Sequence, residues 1–489
     1  MAGLGPARAL QRAADGTPFS RQTVLDAARE LASEPFRPPS PVPQTLQALD
    51  YDTYRQIRYR KDEAIWGQAP TPFSIELFAP GFLYVAPVDI QVVENARAYE
   101  VRVGSDSFET PTEAIGAAIA ELGQFAGFRL HYPLNRPDYR DEFLLFQGAS
   151  YFRAVSRGQI YGLSARGLAI DVAEPTGEEF PLFRRFWIER PAADANSIVV
   201  HAVLDSRRLT GAYRFGIYPG ATTTLDIDVT LFARDRVEHL GLAPLTSMFL
   251  HGAVDASDTA DYRPAVHDSQ GLALHTGTGE RLWRPLANPR TLQLSAFVDT
   301  DPRGFGLIQR ARDFQAYQDL EAVYQRRPSA WVSPRGNWGA GHVQLVEIPT
   351  DKEINDNIVV YWRPEAVLAP GSPFSFAYRL TWPDQAPVPG AVARVARSAY
   401  GRALTDGRPQ FVIDYVPVPG VPTQEVQIDA SASAGRIAEA LVQRNPQTGG
   451  LRVFVTLDPG AADISELRLV PTYEGEAIGE TWLYRWLRG

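Results

Sequence analysis

The sequence feature that most constrains this chain is a strand-like alternation of apolar and polar residues. It is clearest in TTTLDIDVTLFAR (222–234), where every second residue from Leu225 to Leu231 is apolar. A period of two puts alternate side chains on one face of a sheet. SIVVHAVLDS (197–206) and RTLQLSAFVDT (290–300) repeat the pattern. The chain is therefore predicted to be built mainly of half-buried strands.

Turn-forming residues divide these strands, since the chain contains 39 Gly and 39 Pro. Helical periodicity is confined to a few segments, and we predict helices at 21–36, 44–57, 112–123 and 311–327. Many short strands with few helices are typical of antiparallel sheets and not of alternating βαβ units. The predicted fold class is mostly β, with a large N-terminal β-sandwich.

The length of 489 residues exceeds that of one ordinary domain. Residues 381–410 are rich in Pro, Gly and Arg, and beyond them come several short alternating strands with Pro-Gly and Gly-Gly turns. This spacing predicts a smaller, immunoglobulin-like β-sandwich. We predict a flexible tail at 1–20, a β-sandwich domain at 21–383 and the immunoglobulin-like domain at 384–489.

Composition excludes several classes of function. The net charge of −9 and pI of about 5.4 argue against nucleic acid and anionic lipid as partners. The absence of cysteine excludes thiolate catalysis, zinc–thiolate sites and disulfides. No apolar run approaches 18 residues, so no membrane span is predicted. The first residues lack the apolar core of a signal sequence, which leaves a cytosolic protein or a mature chain after signal removal.

Common catalytic and cofactor motifs are also missing from the sequence. The seven histidines form no HExxH or HxH pattern, and GLSARG (162–167) lacks the second glycine of a nucleophile elbow. No phosphate-binding glycine loop or dinucleotide fingerprint is present. We therefore predict no metal and no cofactor, although a metal site assembled from distant residues stays open.

Aromatic and acidic residues supply the remaining candidate chemistry. The chain has 9 Trp, 20 Tyr and 24 Phe, several of them beside polar residues at 148–154, 280–286 and 328–342. Rings that stack on sugar faces, with Arg, Asn and Asp bonding to the hydroxyls, are typical of a carbohydrate cleft. The alternative is that most of these rings form the sandwich core. Pro334, Gly336, Asn337 and Gly339 predict an exposed loop over the stretch from Trp331 to Trp338.

Two aspartates lie in turn-rich segments. Asp356 stands in EINDNIV between two asparagines, at the start of an apolar strand, and Asp268 stands in DYRPAVHDSQGL. Hydrolysis of a glycosidic bond needs one carboxylic acid and one carboxylate. From composition alone, solvated or turn-capping aspartates are the better explanation for both.

Several long blocks of the sequence resemble a known family. They include EFLLFQGASYFRAVSRGQIYGLSARGLAIDVA, EEFPLFRRFWIERP, LGLAPLTSMFLHG, DYRPAVHDSQGL, RLWRPLANP, PSAWVSPRGNWGAGHVQLVEIPTDKEINDNIVVYWRP and AIGETWLYRW. Together they are similar to the periplasmic glucan biosynthesis proteins G and D of Gram-negative bacteria. The resemblance runs from about residue 49 to the C-terminus.

The resemblance implies a periplasmic protein with two β-sandwiches that acts on osmoregulated periplasmic glucans, whose backbone is β-1,2-linked glucose. Family members are similar to inverting glycoside hydrolases. Some are endo-β-1,2-glucanases, and others are transglycosylases that close a ring through an α-1,6 link. The resemblance makes Asp356 the general acid and Asp268 the general base, the latter acting through a relay of water and a substrate hydroxyl. We expect the apolar strand and bound glucan to keep Asp356 protonated.

The resemblance and motif context also imply substrate-binding residues and partners. The predicted substrate-binding residues are Tyr324, Trp338, Tyr151, Arg166 and Ser269. The implied partner is β-1,2-glucan, with contact to inner-membrane glucan-synthesis machinery and a homodimer left open. One departure is the short segment near 395–410, where better-known members carry a longer loop that a neighbouring subunit lays over the substrate. Hydrolysis, transglycosylation and a non-catalytic glucan-binding scaffold therefore stay as alternatives.

Overall fold

The computed structural model describes residues 16–104, 107–255, 260–387 and 392–488. Most of the predicted N-terminal tail, residues 1–15, lies outside the described residues. The chain divides into two compact units, the first made of Met1–Pro244 and Tyr361–Trp382, the second of Leu245–Val360 and Pro383–Gly489. The domains at 21–383 and 384–489 stay predictions.

The first unit contains two sheets. The order of strands in the larger one is Thr17–Pro18, Arg97–Glu100, Asp89–Glu94, Leu182–Glu189, Ile198–Asp205, Leu209–Tyr218, Thr223–Ala233 and Phe374–Trp382. The order in the other is Ser74–Phe78, Gly127–Arg136, Tyr139–Gln147, Tyr151–Ala154 and Ser164–Arg166. Short pairs join Arg58–Tyr59 to Phe108–Glu109 and Ala169–Ile170 to Leu240–Ser247.

Aromatic rings join the two sheets of the first unit face to face. The Phe146 ring lies 5.2 Å from that of Phe186 and 5.1 Å from that of Phe215, and Phe152 lies 5.6 Å from Phe215. Strand Thr223–Ala233 buries alternate residues, as its sequence predicts. The first unit is therefore a β-sandwich, and the mostly-β fold class is confirmed.

Among the described residues helices are few, as the sequence predicts, but the single helix predicted at 44–57 is two separate short helices. The helices are Arg21–Ser33, Gln44–Gln47, Tyr51–Tyr54 and Glu113–Leu122, with 3₁₀ turns at Lys61–Glu63, Phe314–Ala316, Tyr324–Arg326 and Thr423–Glu425. Helix Glu113–Leu122 begins where the Thr112 hydroxyl accepts the N–H of Ile115. It ends at Gly123, whose positive φ of 70° suits a residue without a side chain.

The second unit contains the remaining sheets. The order of strands in the largest is Ala330–Arg335, Gly304–Ile308, Gly271–His275, Arg281–Pro285, Thr481–Leu487, Ile464–Tyr473 and Gln427–Ala432, with Glu476–Ala477 beside Ile464–Tyr473. A second sheet has the order Val395–Arg402, Pro409–Tyr415, Leu451–Asp458 and Arg436–Arg444. Gln293–Thr300 pairs with Ala340–Glu347, and Phe249–His251 with Val266–His267. Strand Ile358–Pro364 begins in the second unit and ends in the first.

The C-terminal strands of the second unit form a sandwich with an aromatic core. Phe411 of one sheet lies 5.5 Å from Trp482 and 5.2 Å from Tyr484 of the other, measured between ring centroids. Thr481–Leu487 also pairs in parallel with Arg281–Pro285. The short segment near 395–410 is a hairpin, since Val395–Arg402 pairs with Pro409–Tyr415.

The helix predicted at 311–327 is wrong. The structure has two 3₁₀ turns there, and Gln318 and Val323 both adopt positive φ angles, 57° and 47°. The Asp313 carboxylate caps the first turn by accepting the N–H of Ala316. Asp319 accepts the N–H groups of Glu321 and Ala322. These local bonds compete with helical ones and break the segment before Tyr324.

The exposed loop predicted around Trp338 is only partly correct. Residues 336–339 form a turn between two strands, but Trp331 is 2% exposed and lies within strand Ala330–Arg335. A Cβ atom at Gly304 would lie 2.5 Å from the Trp331 ring. The missing side chain at Gly304 therefore makes the room that buries this tryptophan.

Candidate active site

Asp268 is a buried carboxylate held by its neighbours. It follows strand Val266–His267 directly and is 5% exposed. Its backbone N–H donates to the carbonyl of Met248 at 2.9 Å, which fixes the turn. Its Oδ1 accepts a hydrogen bond from Nη1 of Arg327. The Arg327 guanidinium thus pairs with the carboxylate in a largely buried position.

Arg327 joins Asp268 to Tyr324. Its guanidinium carbon lies 4.2 Å from the centroid of the Tyr324 ring, which is 1% exposed. Tyr324 packs beside Tyr317, with 5.8 Å between ring centroids, in a small core that includes Val266. Burial raises the pKa of Tyr324 well above its usual value. The phenol therefore keeps its proton throughout the physiological pH range.

Asp356 differs from Asp268 because it is exposed and the residue after it is buried. The Asn357 side chain is 2% exposed and makes three bonds to backbone atoms. Its Oδ1 accepts the N–H of Phe249 at 2.8 Å, and its Nδ2 donates to the carbonyls of Phe249 and Ile348, each at 3.0 Å. Asp356 thus reaches the surface beside a rigid anchor.

The two predicted catalytic aspartates flank one short segment. Asp268 bonds to Met248, and Asn357, next to Asp356, bonds to Phe249. Asp268 and the residue that follows Asp356 are therefore anchored to adjacent residues of one segment.

A cleft of about 660 Å³ opens beside these residues. Its lining is Asp261, Tyr262, Arg263, Phe314, Gln318, Asp319, Leu320, Glu321, Ala322 and Glu353. Glu353 stands three residues before Asp356, and Ala322 two residues before Tyr324. Neither Asp268 nor Asp356 is among the described residues that line the cleft. Tyr262 is 79% exposed and Leu320 is 82% exposed, so the cleft offers apolar surface together with charge.

Arg263 is held by three carboxylates around this cleft. It makes ion pairs with Asp261 at 2.8 Å, Asp319 at 2.9 Å and Glu353 at 2.8 Å. Hydrogen bonds from Arg263 lower the pKa of Asp261 far below its usual range. Burial alone would raise the pKa of Asp319, but bonds from Arg263 and backbone N–H groups outweigh it and lower that pKa.

His267, next to Asp268, is neutral at physiological pH. Burial lowers its pKa to about 3, although a bond with Gln309 opposes the shift. The ring stacks on Phe249 at 5.3 Å and meets Tyr317 edge-on at 5.3 Å. His267 therefore packs the base of the site and does not carry charge there.

The sequence pattern did not single out Arg327, Arg263 or Glu353. Each lies within three residues of a predicted site residue or inside a quoted block, so adjacency was the available signal. Their partners are distant in the chain, and only the folded structure shows the contacts.

The other predicted substrate-binding residues are more scattered. Ser269 is fully buried and its hydroxyl accepts a bond from Ser247 at 2.8 Å. Trp338 is partly exposed in the turn at 336–339. Both lie in the second unit, but neither lines the cleft among the described residues. Their contact with substrate stays a prediction.

Tyr151 and Arg166 lie in the first unit and contact each other. The Arg166 guanidinium lies 4.8 Å from the Tyr151 ring centroid and pairs with Glu178 at 2.6 Å. Burial raises the pKa of Glu178, although Arg166 opposes this. The pair is ordered by these contacts, and its role in glucan binding stays a prediction.

Within the part of the chain that the structure describes, no group of three or more His, Asp and Glu side chains is arranged to hold a metal ion. The chemistry available at this site is that of carboxylates, guanidinium groups and phenols.

Comparison with known proteins identifies the family. A sequence model described as "Periplasmic glucan biosynthesis protein, MdoG" matches residues 19–486. The chain belongs to this family. Glucans biosynthesis protein G 2 of Shewanella oneidensis is 52% identical over 469 residues, covering 96% of this chain and 89% of that protein. Glucans biosynthesis protein G of Rhodopseudomonas palustris is 48% identical, covering 96% and 93%.

A third relative, glucans biosynthesis protein G of Vibrio cholerae, is 47% identical and covers 96% of this chain and 87% of its own. The family predicted from the motifs is thus confirmed. A galactose mutarotase related enzyme from Lactobacillus acidophilus has a TM-score of 0.22 and 10% identity, over 50% of this chain and 99% of that one. A similarity of that size carries no argument. The helices of the described residues include none with the length and hydropathy to span a bilayer.

Proposed function

We propose that this MdoG-family protein is a periplasmic enzyme that processes β-1,2-glucan with inversion at the anomeric carbon. The activity is that of an endo-β-1,2-glucanase or of an α-1,6-cyclising transglycosylase. The observation that supports it best is that Asp268 and Asn357, the residue after Asp356, bond to the adjacent residues Met248 and Phe249. One carboxylate is buried and ion-paired, and the other is exposed.

Asp356 is proposed to act as the general acid. It would give its proton to the glycosidic oxygen as the bond to the anomeric carbon breaks. Because Asp356 is exposed in the free protein, a bound glucan would replace its water, and desolvation favours the neutral, proton-donating form. Asn357 holds the backbone so that the carboxyl group stays at this position.

Asp268 is proposed to act as the general base. Its ion pair with Arg327 keeps it ionised before substrate binds. It would take a proton, through a relay, from the water or sugar hydroxyl that attacks the anomeric carbon. The Tyr324 phenol, joined to Asp268 by Arg327, is proposed to bind the sugar next to the broken bond.

The test is incubation of the protein with linear β-1,2-glucan, with products read by thin-layer chromatography. Short linear oligosaccharides would show a glucanase, and products without a reducing end would show a cyclising transglycosylase. The same assay with Asp356→Asn should leave the polymer intact. Unchanged turnover in that variant would contradict the assignment.

A glucan-binding scaffold without activity is the second candidate. The observation that favours it is a 660 Å³ cleft whose described lining includes neither aspartate but does include the exposed rings and chains of Tyr262 and Leu320. Binding of the glucan without any change in its length would support this candidate. Contact with inner-membrane synthesis machinery and a homodimer belong to either candidate and stay proposals.

A further inference from the structure

Glu353 contacts two residues of the candidate site, Tyr324 and Arg263. Its Oε2 accepts a hydrogen bond from the Tyr324 hydroxyl at 3.4 Å and pairs with Nη1 of Arg263 at 2.8 Å. Asp356 follows three residues later in the same loop. Glu353 therefore joins the loop that carries the proposed acid to the tyrosine that Arg327 connects to the proposed base.

The direction of the Tyr324 hydrogen bond has a chemical consequence. A phenol has one proton to donate, and here that proton points to Glu353. The phenol oxygen then presents only lone pairs to any other neighbour. Because burial raises the pKa of Tyr324, this proton is not lost near neutral pH. A sugar hydroxyl that reaches Tyr324 must donate to it.

Arg263 makes Glu353 a fixed acceptor. The guanidinium is itself held by Asp261 and Asp319, so that it cannot follow a moving Glu353. The Glu353 side chain is 46% exposed, and an ion pair of such exposure contributes little to global stability. The contact is better suited to fixing an orientation than to holding the fold.

We propose that Glu353 is a positioning residue that keeps the Tyr324 hydroxyl turned as an acceptor toward the sugar and holds the loop of Asp356 at the site. This inference rests on the proposed function for its catalytic consequence. Its structural consequence does not depend on the proposed function and can be measured without substrate.

The structural test is millisecond hydrogen exchange of the free protein at residues 350–356. Two amides report on this loop, since Lys352 N–H bonds to the Thr350 hydroxyl and Asn355 N–H to the carbonyl of Lys352. In Glu353→Ala, both should exchange about tenfold faster, as a local opening. The control Asp351→Asn removes a charge from an exposed position of the same loop and should leave exchange unchanged.

Equal exchange in wild type and Glu353→Ala would overturn the proposal, whatever the activity of the protein. If the wild-type chain leaves β-1,2-glucan unchanged while the exchange result is as expected, the proposed function fails and the positioning of the loop by Glu353 stands.

The catalytic test separates kcat from KM on linear β-1,2-glucan. Glu353→Ala should lower kcat about 30-fold, because a misplaced group loses transition-state interactions, with KM within about twofold. Glu353→Gln should recover most of this loss, since its amide oxygen still accepts from Tyr324. In a Tyr324→Phe background, Glu353→Ala should cost no more than about fivefold, because the two residues share one contact.

A loss of kcat that is the same in both backgrounds would show that Glu353 does not act through Tyr324. A change confined to KM would show that Glu353 binds substrate directly. Either outcome would overturn the proposed role.

Discussion

The two aspartates of the candidate site are held in opposite ways. Asp268 is buried, and the contacts that fix it are its own, through its backbone N–H and the ion pair with Arg327. Asp356 is exposed, and its position is fixed by the buried side chain of Asn357. Under the proposed function, the base would be positioned by the protein before substrate binds, whereas the acid would lose its water only when a glucan covers it.

This contrast predicts that substituting either aspartate lowers activity to a similar extent, whereas only the Asp268 substitution lowers the stability of the protein. Asp268→Asn and Asp356→Asn should each lower turnover of β-1,2-glucan about 10³-fold, since each removes a proton-transfer group. Asp268→Asn should also lower the free energy of unfolding by about 1–3 kcal/mol, because Arg327 loses its charged partner in a buried position. Asp356→Asn should change it by less than about 0.5 kcal/mol.

Urea unfolding measures the stability of both variants. A substantial loss of stability in Asp356→Asn, or none in Asp268→Asn, would remove the contrast between the two positions. Full activity in either variant would contradict the pairing of the two residues in one reaction.

Substitution of Asn357, which anchors the loop of Asp356, is predicted to have the next largest effect, on the free energy of unfolding. Asn357→Ala removes three bonds to backbone groups of Phe249 and Ile348 and leaves buried polar atoms unpaired. The free energy of unfolding should fall by about 3 kcal/mol. Asn355→Ala is the matched control, because Asn355 is exposed and bonds through Nδ2 to the Thr350 hydroxyl.

Thermal or urea unfolding of the two asparagine variants decides this prediction. The control should lose less than about 0.5 kcal/mol. Equal losses in both would mean that the anchor is shared across the loop and does not belong to Asn357.

Arg327 sharpens the comparison from the side of Asp268. Arg327→Lys keeps the positive charge for Asp268, but lysine lacks the planar guanidinium that Arg327 places over the Tyr324 ring. Turnover should fall about tenfold with the fold intact, because Tyr324 is released from its position. Arg326→Lys, at an exposed neighbouring position, should have wild-type turnover. A wild-type rate in Arg327→Lys would show that charge alone suffices.

Much of the architecture could be predicted from local pattern. Alternation identified strands such as Thr223–Ala233 and Ile198–Asp205, and helical periodicity identified helix Glu113–Leu122. These features depend on residues close together in the chain. Periodicity failed at 311–327, where Asp313 and Asp319 cap short turns and the tyrosines pack into a local core.

The sequence predicted which residues belong to the candidate site but not the contacts between them. The motifs marked Asp268, Asp356 and Tyr324 through family resemblance, but nothing in their local pattern shows that Arg327 pairs with Asp268 or that Glu353 meets Tyr324. These contacts join residues 59 and 29 positions apart. They arise from how the strands pack, which single-sequence pattern does not report.

Asn288 supports the loop of Asp356 at Thr350. Asn288 bonds to Thr350 in both directions, Nδ2 to the carbonyl at 2.8 Å and Oδ1 to the N–H at 3.0 Å. The Asn288 N–H in turn donates to Asp255 at 2.6 Å. Burial raises the pKa of Asp255 to about 6, helped by Glu347 and opposed by the Asn288 N–H and by Arg284. The Asp255 carboxylate therefore supports, through Asn288, the loop that carries Asp356.

Because folded Asp255 holds its proton more tightly than the unfolded chain, the free energy of unfolding falls as pH rises from about 4 to about 6 and stays lower above that. Asp255→Asn keeps an acceptor for the Asn288 N–H and has no charge to bury. The raised pKa of Asp255 bounds the gain at about 3 kcal/mol, and we expect about 1 kcal/mol at pH 8 and none at pH 4. Urea unfolding at both pH values measures this, with Asp351→Asn as the exposed control. An equal effect at both pH values would show that Asp255 acts through packing and not through its proton. The loop that carries Asp356 would then respond to pH no more than the segment that carries Asp268.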